Sequence, residues 1–267
     1  MDIWKIIPHS FDVIGSREKA VAIVEIRDDA KSMEKKIAEL IMKRQKNVKS
    51  VLKKVSERKG EERIRELELI GGDENTEVLH KEYGYSLKVD PKLVYFSPRE
   101  AAERQRIADK VKPNEIVLVM FSGICPFSIA IAKKQPRVGK VISIEINKHA
   151  HKFAEQNIKI NKVSSKVIVV LGDVRKKSEQ WFGKCDRVLM PLPLDAENFL
   201  DVAVKCLKER GAIHFYSFGD RRDPFAHAIE VLTKKLKKFK FKIIDKRIIA
   251  QYSPGKVKVC LDVEVKK

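Results

Sequence analysis

Residues 115–148 read EIVLVMFSGICPFSIAIAKKQPRVGKVISIEINK, and their pattern decides the fold of the second half of the chain. The stretch contains three apolar segments, at residues 116–120, 126–132 and 141–146, with a turn around Gly123 after the first. Their lengths predict a strand, a helix and a second strand. Because two parallel strands need a helical crossover between them, the stretch is predicted to form one βαβ unit.

The ends of these two strands form a candidate ligand site. Nucleotide-like ligands bind at the carboxyl ends of such strands, where a glycine lets them approach the backbone and helix N–H groups face them. Gly123 is that glycine, and Glu145 closes the second strand with a carboxylate that can accept hydrogen bonds from both hydroxyls of a ribose. The glycine signal alone is weak, because a dinucleotide fingerprint has three glycines and a lone glycine is equally compatible with an ordinary tight turn.

Strands and helices alternate through the rest of the second half. The pattern predicts helices at 149–161, 196–208 and 224–238 and strands at 167–171, 187–190, 212–218, 240–249 and 257–265. Gly211 is expected to cap the second of these helices. Pro91 marks a boundary, which divides the chain into a small domain, 1–91, and an α/β domain, 92–267. Periodicity does not distinguish this layout, typical of S-adenosylmethionine-dependent methyltransferases, from another Rossmann-like fold.

The first part of the chain has the pattern of a small basic α+β domain. Strands are predicted at residues 11–15, 20–26, 48–55, 76–80 and 85–89, and a helix at 31–44. Lys and Arg are concentrated between Lys31 and Arg65 and include Lys53 and Lys54. Such a run is usually a solvated face, but on a compact domain that shares it with strands it can also be a surface that faces RNA.

The charge balance predicts a polyanionic partner. The chain has 56 Lys and Arg against 37 Asp and Glu, a formal net charge of +19, which is far more than solubility requires. Nucleic acid is therefore the expected partner, although lysine-rich solvated faces such as those of thermophiles would also explain the charge. No apolar run approaches the ~20 residues of a membrane helix, and the N-terminus lacks the apolar core of a signal peptide. We expect a cytoplasmic monomer without membrane contact.

The cysteines give no sign of a metal site or a disulfide framework. Cys125, Cys185, Cys206 and Cys260 lie far apart, with no C-x-x-C pair among them. Zinc sites and disulfide-rich domains have closely and regularly spaced cysteines. The four are therefore expected to be packed thiols, and no metal is expected.

Four predicted strand ends should lie side by side along one edge of the sheet. In a methyl-donor site, the Gly123 turn, Glu145 and Asp173 would hold the methionine moiety, the ribose and the adenine amino group, in that order. The fourth strand end, Met190-Pro191-Leu192-Pro193, would border the reacting methyl group, because two prolines around one residue give a stiff backbone. A rigid turn is the alternative explanation for this last segment.

Short motifs along the whole chain form a set. They are Pro8-His9-Ser10-Phe11-Asp12-Val13-Ile14-Gly15, Arg63-Ile64-Arg65-Glu66, His80-Lys81-Glu82-Tyr83-Gly84, Tyr95-Phe96-Ser97-Pro98-Arg99, Glu103-Arg104, Met120-Phe121-Ser122-Gly123, Ile144-Glu145-Ile146-Asn147, Gly172-Asp173-Val174-Arg175, Ile213-His214-Phe215-Tyr216 and Tyr252-Ser253-Pro254. This set resembles the archaeal and eukaryotic tRNA guanine-37 N1-methyltransferase family. The resemblance spans nearly the whole chain, without the extra N-terminal domain that many members carry.

The resemblance implies a Rossmann-like class I methyltransferase sheet with a smaller N-terminal α+β domain that faces RNA. It also implies methyl transfer from S-adenosylmethionine to N1 of the tRNA guanosine just 3′ of the anticodon. Guanine N1 is a poor nucleophile until a base removes its proton and charge on O6 is stabilised. By resemblance, Glu103 would be the base, Arg63 the cation near O6, with Arg65 as the alternative at this spacing, and Tyr95 would stack on the flipped guanine.

The residues that the resemblance implies fall into three groups. The catalytic group is Glu103, Arg63 and Pro191. The cofactor-binding group is Phe121, Gly123, Pro126, Glu145, Ile146, Asp173, Val174, Pro191, Leu192 and Pro193. The substrate-binding group is Tyr95, Arg99, Arg65, Lys53, Lys54 and Pro193. Without the resemblance, each has an ordinary structural explanation: Glu103 could pair with Arg106 or Arg99, Tyr95 could be core, and Arg63 could be a surface charge.

Three positions depart from the family's pattern. Val119 stands where the family's loop begins with an acid, Cys125 stands in place of a second glycine, and Pro191 replaces an asparagine. The first change removes a partner for the methionine amino group, the second adds bulk near the methionine end, and the third removes a side chain near the target guanine. The departures motivate a third hypothesis, a tRNA-binding protein that has lost transfer activity.

The second hypothesis is an enzyme that uses the same cofactor differently. The related wybutosine aminocarboxypropyl transferases share both domains. In that sister family a glycine-asparagine pair is expected after the serine, whereas this chain has Ser97-Pro98-Arg99. The sequence therefore favours methyl transfer.

Overall fold

The computed structural model describes residues 11–56 and 65–267, which form two compact units that divide between Ala101 and Ala102. The boundary predicted at Pro91 falls before this division. Each unit has its own sheet and its own buried core. Within the described part of the chain, no helix combines the length and the apolar character needed to cross a bilayer.

The first unit is built on a mixed sheet in the order β1-β2-β3-β4. Its strands are β1 (Asp12–Gly15), β2 (Ala20–Val24), β3 (Val48–Lys54) and β4 (Leu67–Gly72). Helix α1 (Glu34–Arg44), which follows a 3₁₀ turn at Asp28–Met33, is the crossover between the parallel strands β2 and β3. It buries Ile37, Ala38 and Ile41 against the sheet, as the helical spacing predicts.

A separate hairpin and a short 3₁₀ turn complete this unit. Strands β5 (Val78–Glu82) and β6 (Tyr85–Val89) pair antiparallel around the two-residue turn Tyr83-Gly84. Both turn residues have positive φ, +42° and +81°, as tight hairpin turns require. Strand β6 has the predicted bounds, and the 3₁₀ turn Pro98–Glu100 leads into the second unit.

The second unit is a seven-stranded sheet in the order β12-β13-β11-β10-β7-β8-β9, counted over the described residues. The strands are β7 (Ile116–Met120), β8 (Lys140–Glu145), β9 (Val167–Leu171), β10 (Cys185–Met190), β11 (Leu207–Asp220), β12 (Lys240–Ser253) and β13 (Lys256–Lys266). Pairing is parallel from β11 through β9, and antiparallel for β11 with β13 and β13 with β12. This arrangement confirms the predicted Rossmann-like sheet.

Helices lie between the strands. They are α2 (Ala101–Lys110), α3 (Pro126–Lys134), α4 (Lys148–Ile160), α5 (Val174–Lys177), α6 (Leu200–Cys206) and α7 (Ala226–Lys235). Strand β7, helix α3 and strand β8 form the predicted βαβ unit, with β7 parallel to β8. One buried core packs α6 and α7 against the face formed by β10, β11 and β13.

The predicted cap at Gly211 is wrong. Helix α6 ends at Cys206, and strand β11 begins at once with Leu207, so no loop separates them. Gly211 lies inside β11 opposite Val265. A Cβ at this position would lie 2.8 Å from the Asp186 carbonyl oxygen, so close backbone packing rather than a helix end requires the glycine.

Strand β4 was not predicted, because its glycines looked like a turn. A Cβ on Gly71 would lie 2.7 Å from the Cβ of Ala38 in α1, so the helix can approach this strand only at a glycine. Gly72 has φ +92° and would bring a Cβ to 2.0 Å from the Lys49 carbonyl oxygen. Tertiary packing therefore explains both residues.

Candidate functional site

The loop between β7 and α3 is held in an unusual backbone conformation. Phe121, Gly123 and Cys125 all have left-handed φ values, +54°, +56° and +65°. Left-handed backbone is strained for residues other than glycine and is concentrated at functional sites. A Cβ on Gly123 would meet no described atom within 4 Å, so the space above this backbone is open. A ligand can therefore approach the loop at Gly123.

Glu145 ties this loop to the end of β8. Its Oε2 accepts a hydrogen bond from the Gly123 N–H at 2.6 Å, and its Oε1 accepts one from the Asn147 N–H at 2.8 Å. The Ser122 N–H donates to the Ile144 carbonyl at 3.0 Å, which fixes the loop a second time. Glu145 thus holds the turn at Gly123 against the end of β8, and its predicted contact with the ribose hydroxyls stays a prediction.

The next strand end lies beside Glu145. The Gly172 N–H donates to the Glu145 carbonyl oxygen at 2.8 Å, which places the end of β9 against the end of β8. Asp173 caps the N-terminus of α5 and accepts the Arg175 N–H at 2.8 Å, and the next residue, Val174, is buried. Ile146 is 37% exposed, so its apolar surface is open to a flat ring such as adenine.

The fourth strand end follows β10. Pro191, Leu192 and Pro193 are half-buried and have no regular secondary structure. Because β10 pairs directly with β7, this segment starts at the same edge of the sheet as the Gly123 turn. All predicted cofactor residues, including Pro126 at the start of α3, thus follow four neighbouring strands, in the order β10, β7, β8 and β9.

An aromatic pair beside this edge was not predicted from the sequence. The rings of Phe121 and Phe199 make an edge-to-face contact at 4.9 Å. The Arg175 guanidinium lies 4.6 Å from the centre of the Phe199 ring and donates to the Asn198 carbonyl. The contacts link the loop after β7 with the helix after β9.

Val119 and Cys125, which depart from the family's pattern, are both buried in the protein. Val119 is fully buried within β7. The Cys125 thiol is also fully buried and lies 3.8 Å from the Ser122 hydroxyl. Burial raises the pKa of Cys125 to about 11, so it stays a thiol. A side chain that lined an open cleft would have exposed surface, so the structure places the bulk of Cys125 beneath the loop.

Glu103 is buried at the start of α2 and makes three charge-assisted hydrogen bonds. Its Oε1 accepts from Arg106 Nη2 at 2.8 Å and from the Tyr216 hydroxyl at 2.5 Å. Its Oε2 accepts from Arg106 Nε at 2.7 Å. The pairing with Arg106, one of the two ordinary partners considered from the sequence, is therefore present, whereas Arg99 donates to Asp12 at 2.5 Å.

Glu103 belongs to a larger buried cluster that the sequence did not reveal. Arg106 Nη1 also donates to Asp262 at 2.6 Å, and Asp262 accepts from His214 Nδ1 at 2.6 Å. His214 and Asp262 stand directly opposite each other in β11 and β13. On the other side of the ring, His214 Nε2 is 2.7 Å from Arg187 Nη1, and Arg187 is paired with Glu115 at 2.8 Å.

These contacts fix the protonation state of His214. An arginine can only donate, so Nε2 of His214 must accept from Arg187 and the ring hydrogen must lie on Nδ1, toward Asp262. Burial lowers the pKa of His214, which agrees with a neutral ring. Burial opposes the charge of Asp262, but hydrogen bonds from His214 and Arg106 hold the pKa of this carboxyl well below its usual range.

Three members of the cluster have side chains of the types that bind metal ions. Ligand atoms of His214, Cys260 and Asp262 lie within 4.8 Å of one another, and all three side chains are buried. However, the Arg106 guanidinium already faces the set, with Nη2 at 3.4 Å from the Cys260 sulfur and Nη1 bonded to Asp262. Lys110 Nζ is also 3.1 Å from Asp262. The Arg106 guanidinium and the Lys110 ammonium already place positive charge against Asp262. A metal ion would be repelled by these two cations, so the three residues do not fit a metal site.

The neutral His214 predicts a pH dependence of stability. An unfolded histidine titrates near pH 6.5, and the folded ring has a lower pKa, so the unfolded chain binds the extra proton first. The free energy of unfolding should therefore fall as pH drops below about 6.5. His214→Gln, which keeps a donor and an acceptor, should reduce this fall, whereas His227→Gln, at an exposed histidine, should not. Urea unfolding at pH 7.5 and pH 5.5 measures both, and equal pH dependence in all three proteins would contradict the prediction.

The predicted residues of the first unit are partly described. Arg63 lies outside the described residues, and Arg65 is the first described residue after that gap. Tyr95 is 40% exposed, and its hydroxyl lies 3.4 Å from the Glu100 carboxylate. The predicted stacking of Tyr95 on a base stays a prediction.

The predicted tRNA-facing lysines are engaged in ion pairs. Lys53 and Lys54 occupy the end of β3, with side-chain exposures of 20% and 26%. Their ammonium groups lie within 3.3 Å of carboxylates, which are Glu34 and Glu68 for Lys53 and Glu25 for Lys54. Any contact with phosphate must therefore compete with these acids.

Comparison with known proteins places the chain among tRNA-modifying enzymes. Residues 78–244 match the model of the TRM5/TYW2 methyltransferase domain, and residues 2–76 match that of the TYW2 N-terminal domain. The chain is 40% identical over 266 residues to the tRNA (guanine(37)-N(1))-methyltransferase Trm5b of Pyrococcus abyssi, covering 99% of this chain and 77% of that protein.

Two further relatives bear on substrate and chemistry. The structure described as a complex of aTrm5 and tRNALeu matches with a TM-score of 0.85 and 39% identity, over 98% of this chain and 73% of that one. A tRNA(Phe) (4-demethylwyosine(37)-C(7)) aminocarboxypropyltransferase of Methanocaldococcus jannaschii is 34% identical over 230 residues, which cover 85% of this chain and 90% of that protein.

Proposed function

The chain belongs to the TRM5/TYW2 methyltransferase family, and on that premise we propose that it transfers a methyl group from S-adenosylmethionine to N1 of guanosine 37 in tRNA. The proposal includes action in the cytoplasm as a monomer. It is supported by 40% identity to a guanine-37 N1-methyltransferase over nearly the whole chain, against 34% over a shorter span for the aminocarboxypropyltransferase. The observation that carries it is the convergence of the Gly123 turn, Glu145 and Asp173 at neighbouring strand ends.

The strand ends would hold the cofactor in an extended pose. The Glu145 carboxylate would accept the ribose hydroxyls, and Asp173 would receive the adenine amino group. Ile146 would cover one face of the adenine. The methionine end would lie over Gly123, near the first turn of α3, whose N–H groups favour a carboxylate. The bound cofactor supplies an electrophilic methyl group on its sulfonium.

The acceptor base needs help from the protein before it can react. Glu103 would take the N1 proton, which leaves a lone pair on N1 for the methyl carbon. Arg63, or Arg65 in its place, would stabilise the charge that develops on O6. Tyr95 would stack on the flipped base, and the stiff segment from Pro191 to Pro193 would border the reacting methyl group.

A labelling experiment tests the function. The protein is incubated with labelled S-adenosylmethionine and an unmodified tRNA transcript, and the product nucleoside is identified by mass. We expect 1-methylguanosine, and no product from a matched transcript with adenosine at position 37. A nucleoside that gained an aminocarboxypropyl group would favour the second candidate function, which the match of residues 2–76 to the TYW2 N-terminal domain supports.

The third candidate, a tRNA-binding protein without transfer activity, has a separate test. It rests on Val119, Cys125 and Pro191, which replace the residues that the family's pattern has at these positions. Calorimetric titration with S-adenosylmethionine separates the cases. Tight binding would argue against this candidate, whereas undetectable binding together with retained tRNA binding would favour it.

The basic face around Lys53 and Lys54 provides a prediction about tRNA binding. Replacing both by glutamine should weaken tRNA binding and reduce the slope of its salt dependence by about one unit per lost phosphate contact. Glutamine is preferred to glutamate because a new acid beside Glu34 and Glu68 would repel them. The reciprocal variant Glu25→Gln, which frees Lys54 from its partner, should tighten binding. If affinity and salt slope stay constant in both, this face is only solvated.

A further inference from the structure

The carboxylate of Glu103 is held by more donors than a simple ion pair provides. Oε1 accepts from both Tyr216 and Arg106, whereas Oε2 accepts from Arg106 alone. A carboxylate has about four acceptor positions, two on each oxygen. Among the described residues, three are used, and the one that is left lies on Oε2. A proton donor that reaches Glu103 would therefore be received at Oε2.

We propose that Tyr216 and Arg106 are positioning residues for methyl transfer, which orient the Glu103 carboxylate so that Oε2 receives the proton from the acceptor base. This inference rests on the proposed function, because it assumes that Glu103 is the base. In the step, the N1–H bond breaks and an Oε2–H bond forms. The N1 electron pair forms the bond to the methyl carbon, and the sulfur keeps the electrons of the broken C–S bond.

Tyr216 is a hydrogen-bond donor to Glu103, and the contacts of its buried ring hold it in position. The ring is fully buried, packs edge-to-face against Phe127 at 6.0 Å, and lies under the Lys258 ammonium at 5.2 Å. Burial, with the neighbouring Cys260 and Glu103, raises the pKa of Tyr216 well above its usual value. The hydroxyl therefore keeps its hydrogen and donates it to Oε1 of Glu103.

Arg106 keeps a compensating partner whether or not Glu103 carries a proton. Its Nη1 donates to Asp262 at 2.6 Å and lies 3.4 Å from Asp245, while Nε and Nη2 hold Glu103. Neutralising Glu103 thus leaves the guanidinium paired with Asp262 instead of isolated, which avoids the large cost of an unpaired buried charge. Lys110 shares both aspartates at 3.1 and 3.3 Å.

The anchor behind Arg106 is rigid. Asp262 is held by the Nδ1–H of His214, directly across the β11–β13 ladder, and Cys260 also faces it, at 3.5 Å. Burial raises the pKa of Cys260 well above its usual value, so the thiol is uncharged. Arg106 is therefore fixed from the sheet side, and its position determines that of the Glu103 carboxylate.

Tyr216→Phe tests the proposal, because it removes one hydroxyl and keeps the packed ring. Single-turnover methyl transfer is measured between pH 5 and pH 9 with saturating cofactor and tRNA. Losing a donor to the anion should move the acid limb of the pH–rate profile to higher pH by about one unit, and so lower the rate on that limb by about tenfold. The affinity for tRNA, measured separately by filter binding, should not change.

Two further variants make the outcome decisive. Tyr85→Phe is the matched control, since Tyr85 is also buried and donates to a glutamate, Glu82, at 2.6 Å in the β5–β6 hairpin, and it should keep the wild-type profile. Arg106→Lys keeps the charge but cannot hold both oxygens, so the rate should fall at least about tenfold with tRNA affinity unchanged. If Tyr216→Phe does not fold, Arg106→Lys alone tests the positioning role.

The failure of this inference differs from the failure of the proposed function. If the wild type forms 1-methylguanosine while folded Tyr216→Phe or Arg106→Lys keeps the wild-type rate and pH profile, the positioning role is overturned. A rate loss that is equal at every pH in Tyr216→Phe also overturns it, because general loss of structure would give that result. If the wild type forms no 1-methylguanosine, the proposed function itself has failed.

Discussion

Replacing Glu103 with glutamine is expected to slow methyl transfer by roughly two or more orders of magnitude, with tRNA affinity nearly unchanged. The amide oxygen can still accept from Arg106 or Tyr216, and Arg106 keeps its bond to Asp262, so the buried cluster should survive. An amide cannot take up the proton that guanine N1 must lose. Single-turnover rates report the chemical step, and filter binding reports tRNA affinity.

The control for this variant lies on the same helix. Asp109 is an exposed acid of α2 that pairs with Lys134 at 3.0 Å, so Asp109→Asn removes a carboxylate without touching the cluster. It should react at the wild-type rate. An unaltered rate for Glu103→Gln would remove this carboxylate from the mechanism, and a loss of tRNA affinity as large as the loss of rate would assign it to binding instead.

Periodicity correctly predicted the strands whose bounds follow from the local sequence pattern. Strands β7 and β9 have the predicted bounds, because each is a continuous apolar run between turn residues. Strand β11 is longer than predicted. It begins at Leu207 and pairs with β13 through Arg210 and Lys266, although the residues around Arg210 are polar and read as the end of a helix. Pairing with a distant strand, rather than propensity, sets its length.

One part of the candidate site could be predicted from the local sequence, and another part depends on contacts between distant strands. The residues at the strand ends could be named from the sequence, because parallel strands bring their carboxyl ends to one edge. The cluster behind Glu103 could not, since His214 and Asp262 meet only through the register of β11 and β13, which the sequence does not specify. A signal was present, however: both are polar residues inside apolar strands, and buried polar groups require partners.

The departures at Val119 and Cys125 affect the site less directly than their positions suggest. Val119 is fully buried within the sheet, and the Cys125 thiol is buried among serines beneath the loop. Neither residue adds bulk to the open side of Gly123. The chain lacks the acid that the family's pattern has at position 119. Under the proposed function, recognition of the cofactor would therefore depend more heavily on the acids at the next two strand ends, Glu145 and Asp173.

Replacing Glu145 with glutamine should therefore raise the dissociation constant for S-adenosylmethionine by about 10–100-fold, the loss expected for one or two hydrogen bonds to a charged acceptor. Glutamine has one carbonyl oxygen, whereas Glu145 accepts both the Gly123 and the Asn147 N–H and would also receive the ribose hydroxyls. Calorimetric titration measures the affinity, with Glu155→Gln, at an exposed acid of α4, as the control. An affinity within about twofold of wild type would show that the ribose does not rest on Glu145, and the methyl-donor interpretation of this edge would then lose its central contact.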